Sequence, residues 1–348
     1  MIPFSELKID ALLVSALPNI RYLSGFTGDN GLLLVTPESQ TLFTDPRFEI
    51  QASEECKCTV KIAPRGPVDP YAVEAIRRKK LKRVGFEATR MIYDVHRRLK
   101  EAVPLGTTLK PVGPVIENLR MVKSTEEIAR IRLSVQTNSQ AFEKTVQSIR
   151  PGVSESHIAA ELEFQMRRLG AEKQAFETIV AAGPRSALPH ARPGSRKIGV
   201  DELLLIDMGA CQDGYMSDMT RMLFFGNVSR RIRDMYQAVL KAQLAAIAAV
   251  REGVTAGRVD QHARQVLESE GLAKEFVHST GHGLGLEIHE PPRVGKKDPT
   301  RLEAGMVITI EPGAYVRGFG GVRIEDTVLV TKNGCEVLTP TSKELMLL

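Results

Sequence analysis

The sequence lacks tryptophan, and only 5% of its 348 residues are aromatic. The N-terminus has no basic segment of the kind that opens a secretory signal, and the nearby apolar stretch Ala11 to Leu17 ends at Pro18. Such a stretch is too short for a signal core or for a membrane crossing. We therefore expect a cytoplasmic protein with no membrane partner.

Cysteine is also scarce, and the four cysteines form no CxxC pair. A zinc ribbon is therefore not expected. A chain of this length does not need disulfides, so free thiols are the default. The composition that remains, 43% apolar and 26% charged, is typical of an ordinary globular protein.

The length suits two domains. A capping box at Ser124 to Glu127 begins a long amphipathic helix, so the boundary is placed just before it, near residues 115–123. This predicts a smaller N-terminal α/β domain over residues 1–120 and a catalytic α+β domain over residues 121–348.

The expected elements follow from apolar periodicity and turn residues. Asn19 to Gly28 is rich in turn residues and is predicted as a connection. Strands are expected at residues 11–14, 31–35, 59–62, 83–85, 202–208, 306–310 and 322–330. Helices are expected at residues 69–80, from 124 to before Pro151, and at 155–169, 228–251 and 256–270.

The formal charge is +5, and much of the excess could come from the basic run Arg77 to Arg83. Such runs can bind nucleic acid. This run has no interleaved aromatic residues and no nucleic-acid motif beside it. A solvated helix end that leads into a strand at Val84 explains it better, so no nucleic-acid partner is expected.

A first apolar strand carries a carboxylate near its end. Asp207 follows Leu203 to Ile206, where an unpaired buried carboxylate is costly. A turn signal at Gln212-Asp213-Gly214 follows, and the return strand carries Asp218. The turn brings the two aspartates opposite each other to within a residue or two. Like charges in that position destabilise a sheet unless a cation lies between them.

The same pattern recurs near the C-terminus. Glu311 ends the apolar run Met306 to Ile310, and Glu325 lies on the return strand. A turn centred near Gly318 sets these two glutamates opposite each other. His282 lies between glycines, which let the backbone approach a site closely.

Each of these residues carries little weight alone, because an isolated aspartate at a strand end is often a cap and an isolated Gly-His-Gly is usually a loop. Several buried acids together need one explanation, and a pair of divalent ions supplies it. Mostly oxygen donors favour Mn²⁺, with Co²⁺ or Zn²⁺ as alternatives. The predicted ligands are Asp207, Asp218, His282, Glu311 and Glu325.

Longer motifs surround these residues. They are IDMGA at Ile206 to Ala210, SDMTR at Ser217 to Arg221, STGHGLG at Ser279 to Gly285, HEPP at His289 to Pro292, ITIEPG at Ile308 to Gly313, and GGVRIEDT at Gly320 to Thr327. Together with NIRYLSGFTG at Asn19 to Gly28, they resemble the pita-bread metallopeptidases, and among them the Xaa-Pro peptidases, prolidase and aminopeptidase P. The resemblance covers essentially the whole chain. It implies a C-terminal pita-bread domain behind a smaller creatinase-like domain.

The resemblance also implies a division of the metal ligands. Asp207 would bind one ion, and His282 with Glu311 would bind the other. Asp218 and Glu325 would bridge the two ions. The implied reaction is hydrolysis of the peptide bond between an N-terminal residue and proline, by an Xaa-Pro dipeptidase or aminopeptidase.

Further residues match the family's substrate side. His190 and His289 match two histidines that contact the substrate, and Arg323 matches a substrate-side arginine. Glu311 is expected to move the proton of the attacking water. His278 is expected to be a structural neighbour of the site. A homodimer is implied by the resemblance as well.

Three alternatives remain open. A methionine aminopeptidase has a similar fold, but the extra N-terminal domain and the Arg323 that precedes Ile324 and Glu325 argue against it. Creatinase-like hydrolysis needs no metal, and the five intact ligand positions argue against that reading. A non-catalytic binding protein on the same fold could use the basic run at Arg77 to Arg83.

Overall fold

The computed structural model of the chain describes residues 2–348 and divides into two compact units between Arg120 and Met121. Both units combine helices with sheets, which confirms the predicted α+β class. Among the described residues, no helix combines the length and the apolar character that a membrane crossing requires.

The N-terminal unit is built on a mixed sheet in the order β4-β3-β2-β1-β5-β6. Its strands are β1 (Ala11–Val14), β2 (Leu32–Val35), β3 (Gln40–Thr44), β4 (Thr59–Ile62), β5 (Arg83–Glu87) and β6 (Thr108–Val112). Its helices are α1 (Phe4–Leu7), α2 (Leu17–Ser24), α3 (Glu49–Glu55), α4 (Asp69–Arg78), α5 (Tyr93–Ala102) and α6 (Val115–Met121). A 3₁₀ turn covers Pro46–Phe48.

Alternation along β1 explains why this sheet is covered on both faces. Leu12 and Val14 pack in one apolar cluster, whereas Ala11 and Leu13 pack in another. Buried strands of this kind read as continuous apolar runs, so they could be found from the sequence.

Helix α2 corrects the sequence analysis, which predicted a turn-rich connection at Asn19 to Gly28. Pro18 lies in the first turn of the helix, where its missing N–H is tolerated. Gly25 ends the helix with a φ of 85°, a conformation that suits glycine. The turn residues therefore mark the ends of a helix rather than a loop.

The C-terminal unit contains two helix pairs and several antiparallel sheets. Its helices are α7 (Thr125–Val146), α8 (Glu155–Arg168), α9 (Arg230–Ala249) and α10 (Ala256–Ser269). Its strands are β7 (Lys173–Gln174), β8 (Ile179–Ala182), β9 (Glu202–Met208), β10 (Ala210–Gln212), β11 (Tyr215–Met216), β12 (Met219–Phe225), β13 (Gly281–Gly283), β14 (Glu290–Val294), β15 (Val307–Ile310), β16 (Gly313–Val316), β17 (Gly320–Arg323), β18 (Asp326–Val330), β19 (Cys335–Val337) and β20 (Met346–Leu347). A 3₁₀ turn covers Gly183–Ala187.

The predicted ligands lie on the strands of two sheets of this unit or directly beside those strands. One has the order β20-β12-β9-β8 and the other has the order β14-β13-β15-β18-β19. Along β9, Leu204 and Ile206 pack with α7 and α8, while Leu203 and Leu205 pack in the cluster that contains α9 and α10. Asp207 shares the face of the second set, because side chains alternate along a strand.

The predicted strand at residues 322–330 is interrupted, which is a second correction. β17 ends at Arg323 and pairs with β16, whereas β18 begins at Asp326 and pairs with β15. Glu325 lies in the gap between them. The strand breaks where a buried carboxylate must leave the ladder.

Candidate metal centre

The first carboxylate pair lies on the hairpin that the sequence predicted. Asp213 and Gly214 have φ values of 49° and 74°, and they join β10 to β11 in a tight turn. On the longer strands, Thr220 is the direct partner of Asp207. Asp218 is therefore offset by two residues, within the predicted range.

The second pair has the predicted register. Ile310 pairs with Asp326 and Gly313 pairs with Arg323. The same register places Glu311 opposite Glu325. Both glutamates lie where the chain passes from one pair of strands to the next. Their backbone N–H groups donate outside those pairs, to the carbonyls of Thr280 and Thr220.

His282 on β13 presents a lone pair to the carboxylates. Its Nδ1 lies 2.9 Å from the carbonyl oxygen of Gly283 and can only donate there. In the neutral ring Nε2 is then unprotonated. Nε2 lies 3.4 Å from Oε1 of Glu311 and 3.6 Å from Oδ2 of Asp218. A lone pair that faces two carboxylates is repelled by them unless a cation lies between.

Burial is the largest cause of the pKa shifts of the candidate ligands. Burial raises the pKa of Asp218 well above its ordinary value, and the charge of Glu325 raises it further. Burial and the charge of Glu311 raise the pKa of Glu325 in the same way. Burial also raises the pKa of Glu311 and lowers the pKa of His282. The cluster is therefore short of positive charge.

Two carboxylate oxygens of the cluster have nothing to bond. Within residues 2–348, Oδ1 of Asp207 and Oε1 of Glu325 are buried without a hydrogen-bond partner. A buried acceptor left in this state costs about 1–3 kcal/mol. One potential ligand atom from each of Asp218, His282 and Glu325 lies within 4.8 Å of the others. Unsatisfied oxygens, an imidazole lone pair and excess negative charge fit divalent cations.

Hydroxyl groups hold the carboxylates, and the sequence analysis missed them. The Thr220 hydroxyl donates to Oε2 of Glu325 at 2.7 Å, and the Thr309 hydroxyl donates to Oε1 of Glu311 at 3.2 Å. A polar residue inside an apolar strand is the signal that could have found them. Threonine is common in strands, however, so that signal is weak.

Arg323 is the cation of this cluster. Its Nη2 donates to Oδ2 of Asp207 at 2.5 Å, its Nη1 donates to the Tyr315 hydroxyl at 2.7 Å, and its Nε donates to the Thr220 hydroxyl at 3.0 Å. A further Nη1 bond of 3.3 Å goes to the carbonyl of Pro189. Four of its five N–H groups are therefore used within the protein.

Tyr315 extends the chain of hydrogen bonds to His278. Nδ1 of His278 donates to the Ser279 carbonyl at 2.7 Å, so Nε2 accepts from the Tyr315 hydroxyl at 2.8 Å. Burial lowers the pKa of His278 to about 4, which keeps the ring neutral. The expected structural neighbour thus orients Tyr315, another residue that the sequence analysis missed.

One cavity of about 950 Å³ collects all the sequence-predicted site residues. Its lining includes the five candidate ligands together with His190, His289 and Arg323. The rings of His282 and His289 lie 4.4 Å apart. His190 and His289 are exposed residues in the lining of this cavity.

A buried ion pair supports the segment that carries His289. Nζ of Lys123 lies 3.0 Å from Oε2 of Glu290, and both side chains are at most 2% exposed. Oε1 of Glu290 accepts from the backbone N–H of Glu287 at 3.1 Å. The neighbour of His289 in the chain is thus fixed from both of its carboxylate oxygens.

The chain is similar to known proteins along nearly all of its length. The profile of Metallopeptidase family M24 matches residues 129–332, and that of the Creatinase/Prolidase N-terminal domain matches residues 4–122. The Xaa-Pro dipeptidase of Pyrococcus horikoshii is 39% identical over 342 residues, which cover 97% of this chain and 95% of that protein.

Solved structures are similar to this chain over the same length. The Xaa-Pro dipeptidase from Bacillus anthracis has a TM-score of 0.96 at 37% identity and covers 99% of this chain and 97% of its own. The X-Pro aminopeptidase from Thermotoga maritima MSB8 has a TM-score of 0.93 at 34% identity, with 99% of both chains covered. The predicted pita-bread and creatinase-like architecture is confirmed. The chain belongs to metallopeptidase family M24, and is therefore a metallopeptidase that works with divalent metal ions.

Proposed function

We propose that this protein hydrolyses the peptide bond that joins an N-terminal residue to proline. The observation that carries the proposal is the buried acidic cluster, which has two unsatisfied oxygens and a histidine lone pair directed at carboxylates. Similarity to proteins named Xaa-Pro dipeptidase and X-Pro aminopeptidase supports the proline preference.

The ligand assignment follows the sequence motifs. Asp207 would hold one ion, His282 and Glu311 would hold the other, and Asp218 and Glu325 would be shared. When bound, a pair of divalent ions supplies an acidified water and positive charge for the developing oxyanion. Mn²⁺ is proposed on the strength of the oxygen-rich donor set, with Co²⁺ or Zn²⁺ as alternatives.

Side chains of the cavity carry the proton and the substrate. The carboxylate of Glu311 takes the proton of the attacking water and delivers it to the leaving nitrogen of proline. Its raised pKa suits that exchange. N–H groups of His190 and His289 stabilise the oxyanion, and preorganised donors of this type contribute about 3–4 kcal/mol to such a barrier.

The cavity wall suits proline. Its apolar lining includes Phe176, Ile179, Ile288 and Pro292. A bond that precedes proline offers no amide N–H, so an apolar wall that asks for no such hydrogen bond can select it. The chain is similar to both a dipeptidase and an aminopeptidase, and we propose an Xaa-Pro substrate of either length.

A side-by-side assay tests the function. The metal-free protein is loaded with Mn²⁺, Co²⁺ or Zn²⁺ and given Ala-Pro, Ala-Pro-Ala and Met-Ala. We expect hydrolysis of at least one proline peptide and little of Met-Ala. Preference for Met-Ala would favour the methionine aminopeptidase alternative. Metal binding without hydrolysis of any peptide would favour a binding protein.

Three further assignments belong to the same proposal. Residues 121–348 act as the catalytic domain and residues 1–120 as the creatinase-like domain. The protein works as a homodimer, which sedimentation velocity tests. It works in the cytoplasm, which fractionation of the source cells tests.

A further inference from the structure

Arg221 belongs to the SDMTR motif, yet none of the roles above uses it. It lies on β12, next to Thr220, and is 1% exposed. A guanidinium cannot lose its charge in a protein, so its burial requires partners for the charge and for all five N–H groups.

The structure gives Arg221 a full set of partners. Nη1 donates to the carbonyls of Thr220 and Glu325 at 3.0 and 2.5 Å. Nη2 donates to Oδ1 of Asp326 at 2.7 Å and to the Thr341 carbonyl at 2.7 Å. Nε donates to the Ser342 carbonyl at 2.8 Å. One side chain thus joins β12, the gap before β18 and the C-terminal segment Thr341 to Lys343.

The bonds of Arg221 bear on the break between β17 and β18. Glu325 has no place in the β-ladders, so its backbone must be held by other bonds. Its N–H donates to the Thr220 carbonyl at 3.3 Å, and its carbonyl accepts from Arg221. Arg221 therefore fixes the backbone from which the Glu325 carboxylate reaches the metal centre.

Asp326 ties the C-terminal segment to the same point. Its side chain is fully buried and pairs with Arg221 and with Lys343. Its Oδ2 also accepts from Gln243 on α9 at 2.8 Å. The Tyr236 hydroxyl donates to the Lys343 carbonyl at 2.5 Å, which anchors the segment to the same helix.

From these contacts we infer that Arg221, with the C-terminal segment Thr341 to Lys343, is a positioning element for the metal ligand Glu325. The inference rests on the proposed metal site. Residues that orient a ligand without touching the metal commonly change metal affinity by about 10–100-fold. A merely structural role would change the stability of the fold and leave metal affinity alone.

Titration of the metal-free protein with Mn²⁺ tests this, at a temperature where circular dichroism shows every variant folded. Arg221→Lys keeps the positive charge but loses the planar guanidinium with its five N–H donors. Arg120→Lys is the matched control, since Arg120 is 2% exposed in the other unit and donates to Asn19 at 2.6 Å. We expect Arg221→Lys to weaken Mn²⁺ binding at least about tenfold and the control to change it less than about twofold.

If Arg221→Lys does not fold, a second variant with its own control, at less buried positions, still tests the inference. Lys343→Met removes the second cation of Asp326 together with a 3.4 Å bond to Oε1 of Gln243. Lys332→Met removes an exposed lysine as its control. We expect Lys343→Met to weaken Mn²⁺ binding about threefold or more, below the range for a full ligand support. Mn²⁺ affinity equal to wild type in the folded variants of Arg221 and Lys343 overturns the inference. If wild type itself binds no Mn²⁺, the proposed function fails first, and the inference with it.

Discussion

Each unit of this protein buries a cluster of polar residues, one around Glu87 and one around Asp207 and Glu325. The two clusters differ in how many of their carboxylate oxygens have a hydrogen-bond donor. In the N-terminal unit, Oε2 of Glu87 accepts from the backbone N–H groups of Ser15 and Ala16 at 2.6 and 2.9 Å. Its Oε1 accepts from Asn19 at 2.6 Å. Every oxygen of that carboxylate has a donor, and the cluster caps the start of α2.

The cluster in the C-terminal unit leaves some of its carboxylate oxygens without a hydrogen-bond donor. Asp207 and Glu325 keep buried oxygens without partners among the described residues, and burial with mutual repulsion raises the pKa of Asp218 and Glu325. Burial of polar groups is therefore not what marks a functional site. What distinguishes this cluster is that unsatisfied carboxylate oxygens and mutually repelling buried carboxylates occur together in the lining of one cavity.

Asp218→Asn should give the largest loss of activity. A small loss would contradict the contrast between the two clusters. Loss of a shared ligand should lower Mn²⁺-dependent hydrolysis of Ala-Pro by more than about a hundredfold, since even indirect supports cost up to that amount. The metal-free variant should also be more stable than wild type at neutral pH, because an amide neither repels Glu325 nor has to take up a proton on folding. Thermal melts without metal check this, and a less stable variant would contradict it.

His289→Ala should separate the substrate side from the metal side. The ring lines the cavity but is not a proposed ligand, so kcat should fall about a hundredfold while Mn²⁺ affinity stays near wild type. Steady-state kinetics at saturating Mn²⁺ and a metal titration measure the two quantities. Loss of Mn²⁺ binding in this variant would mean that His289 belongs to the metal centre.

Glu87→Gln should show the opposite pattern to Asp218→Asn. The amide nitrogen cannot accept the N–H groups that meet this carboxylate, so unfolding should become easier by about 2 kcal/mol. Mn²⁺ affinity per folded chain should not change. Chemical denaturation without metal measures the first quantity. A stabilised variant would show that this cluster also carries excess charge.

The pH dependence of metal stabilisation sharpens the contrast further. Because the folded pKa values of Asp218 and Glu325 are raised, the metal-free fold holds protons that the unfolded chain has released. Metal-free stability is thus full below the ordinary carboxyl range, near pH 4, and falls as pH rises through the raised values. Mn²⁺ replaces those protons, so its gain in Tm should be a few degrees larger near pH 8 than near pH 5. An equal gain at both pH values would contradict this.

The sequence predicted what depends on register and apolar pattern. The positions of Glu311 and Glu325 follow from the turn centre at Gly318, and Asp207 and Asp218 follow from the turn at Asp213. These strands are buried on both faces, so the apolar pattern alone does not set their register. The turns set it, because turn type and loop length fix the pairing of a hairpin.

The rest depends on contacts that no local pattern records. The helix at Leu17–Ser24 looked like a loop because its end signals lie close together. At the break, Glu325 is bonded to Arg221 and Thr220, which lie 104 and 105 residues earlier in the chain. Tyr315 matters through its bonds to Arg323 and His278, and those bonds exist only after the sheets have formed.

The number of Mn²⁺ ions bound per chain tests the central claim most directly. Calorimetric titration of the metal-free protein, with Asp218→Asn and Glu87→Gln beside it, should give two ions for wild type and for Glu87→Gln. Asp218→Asn should lose that stoichiometry. No bound ion in wild type, or two ions bound with unchanged affinity in Asp218→Asn, would contradict the claim that the unsatisfied acidic cluster is a two-metal centre.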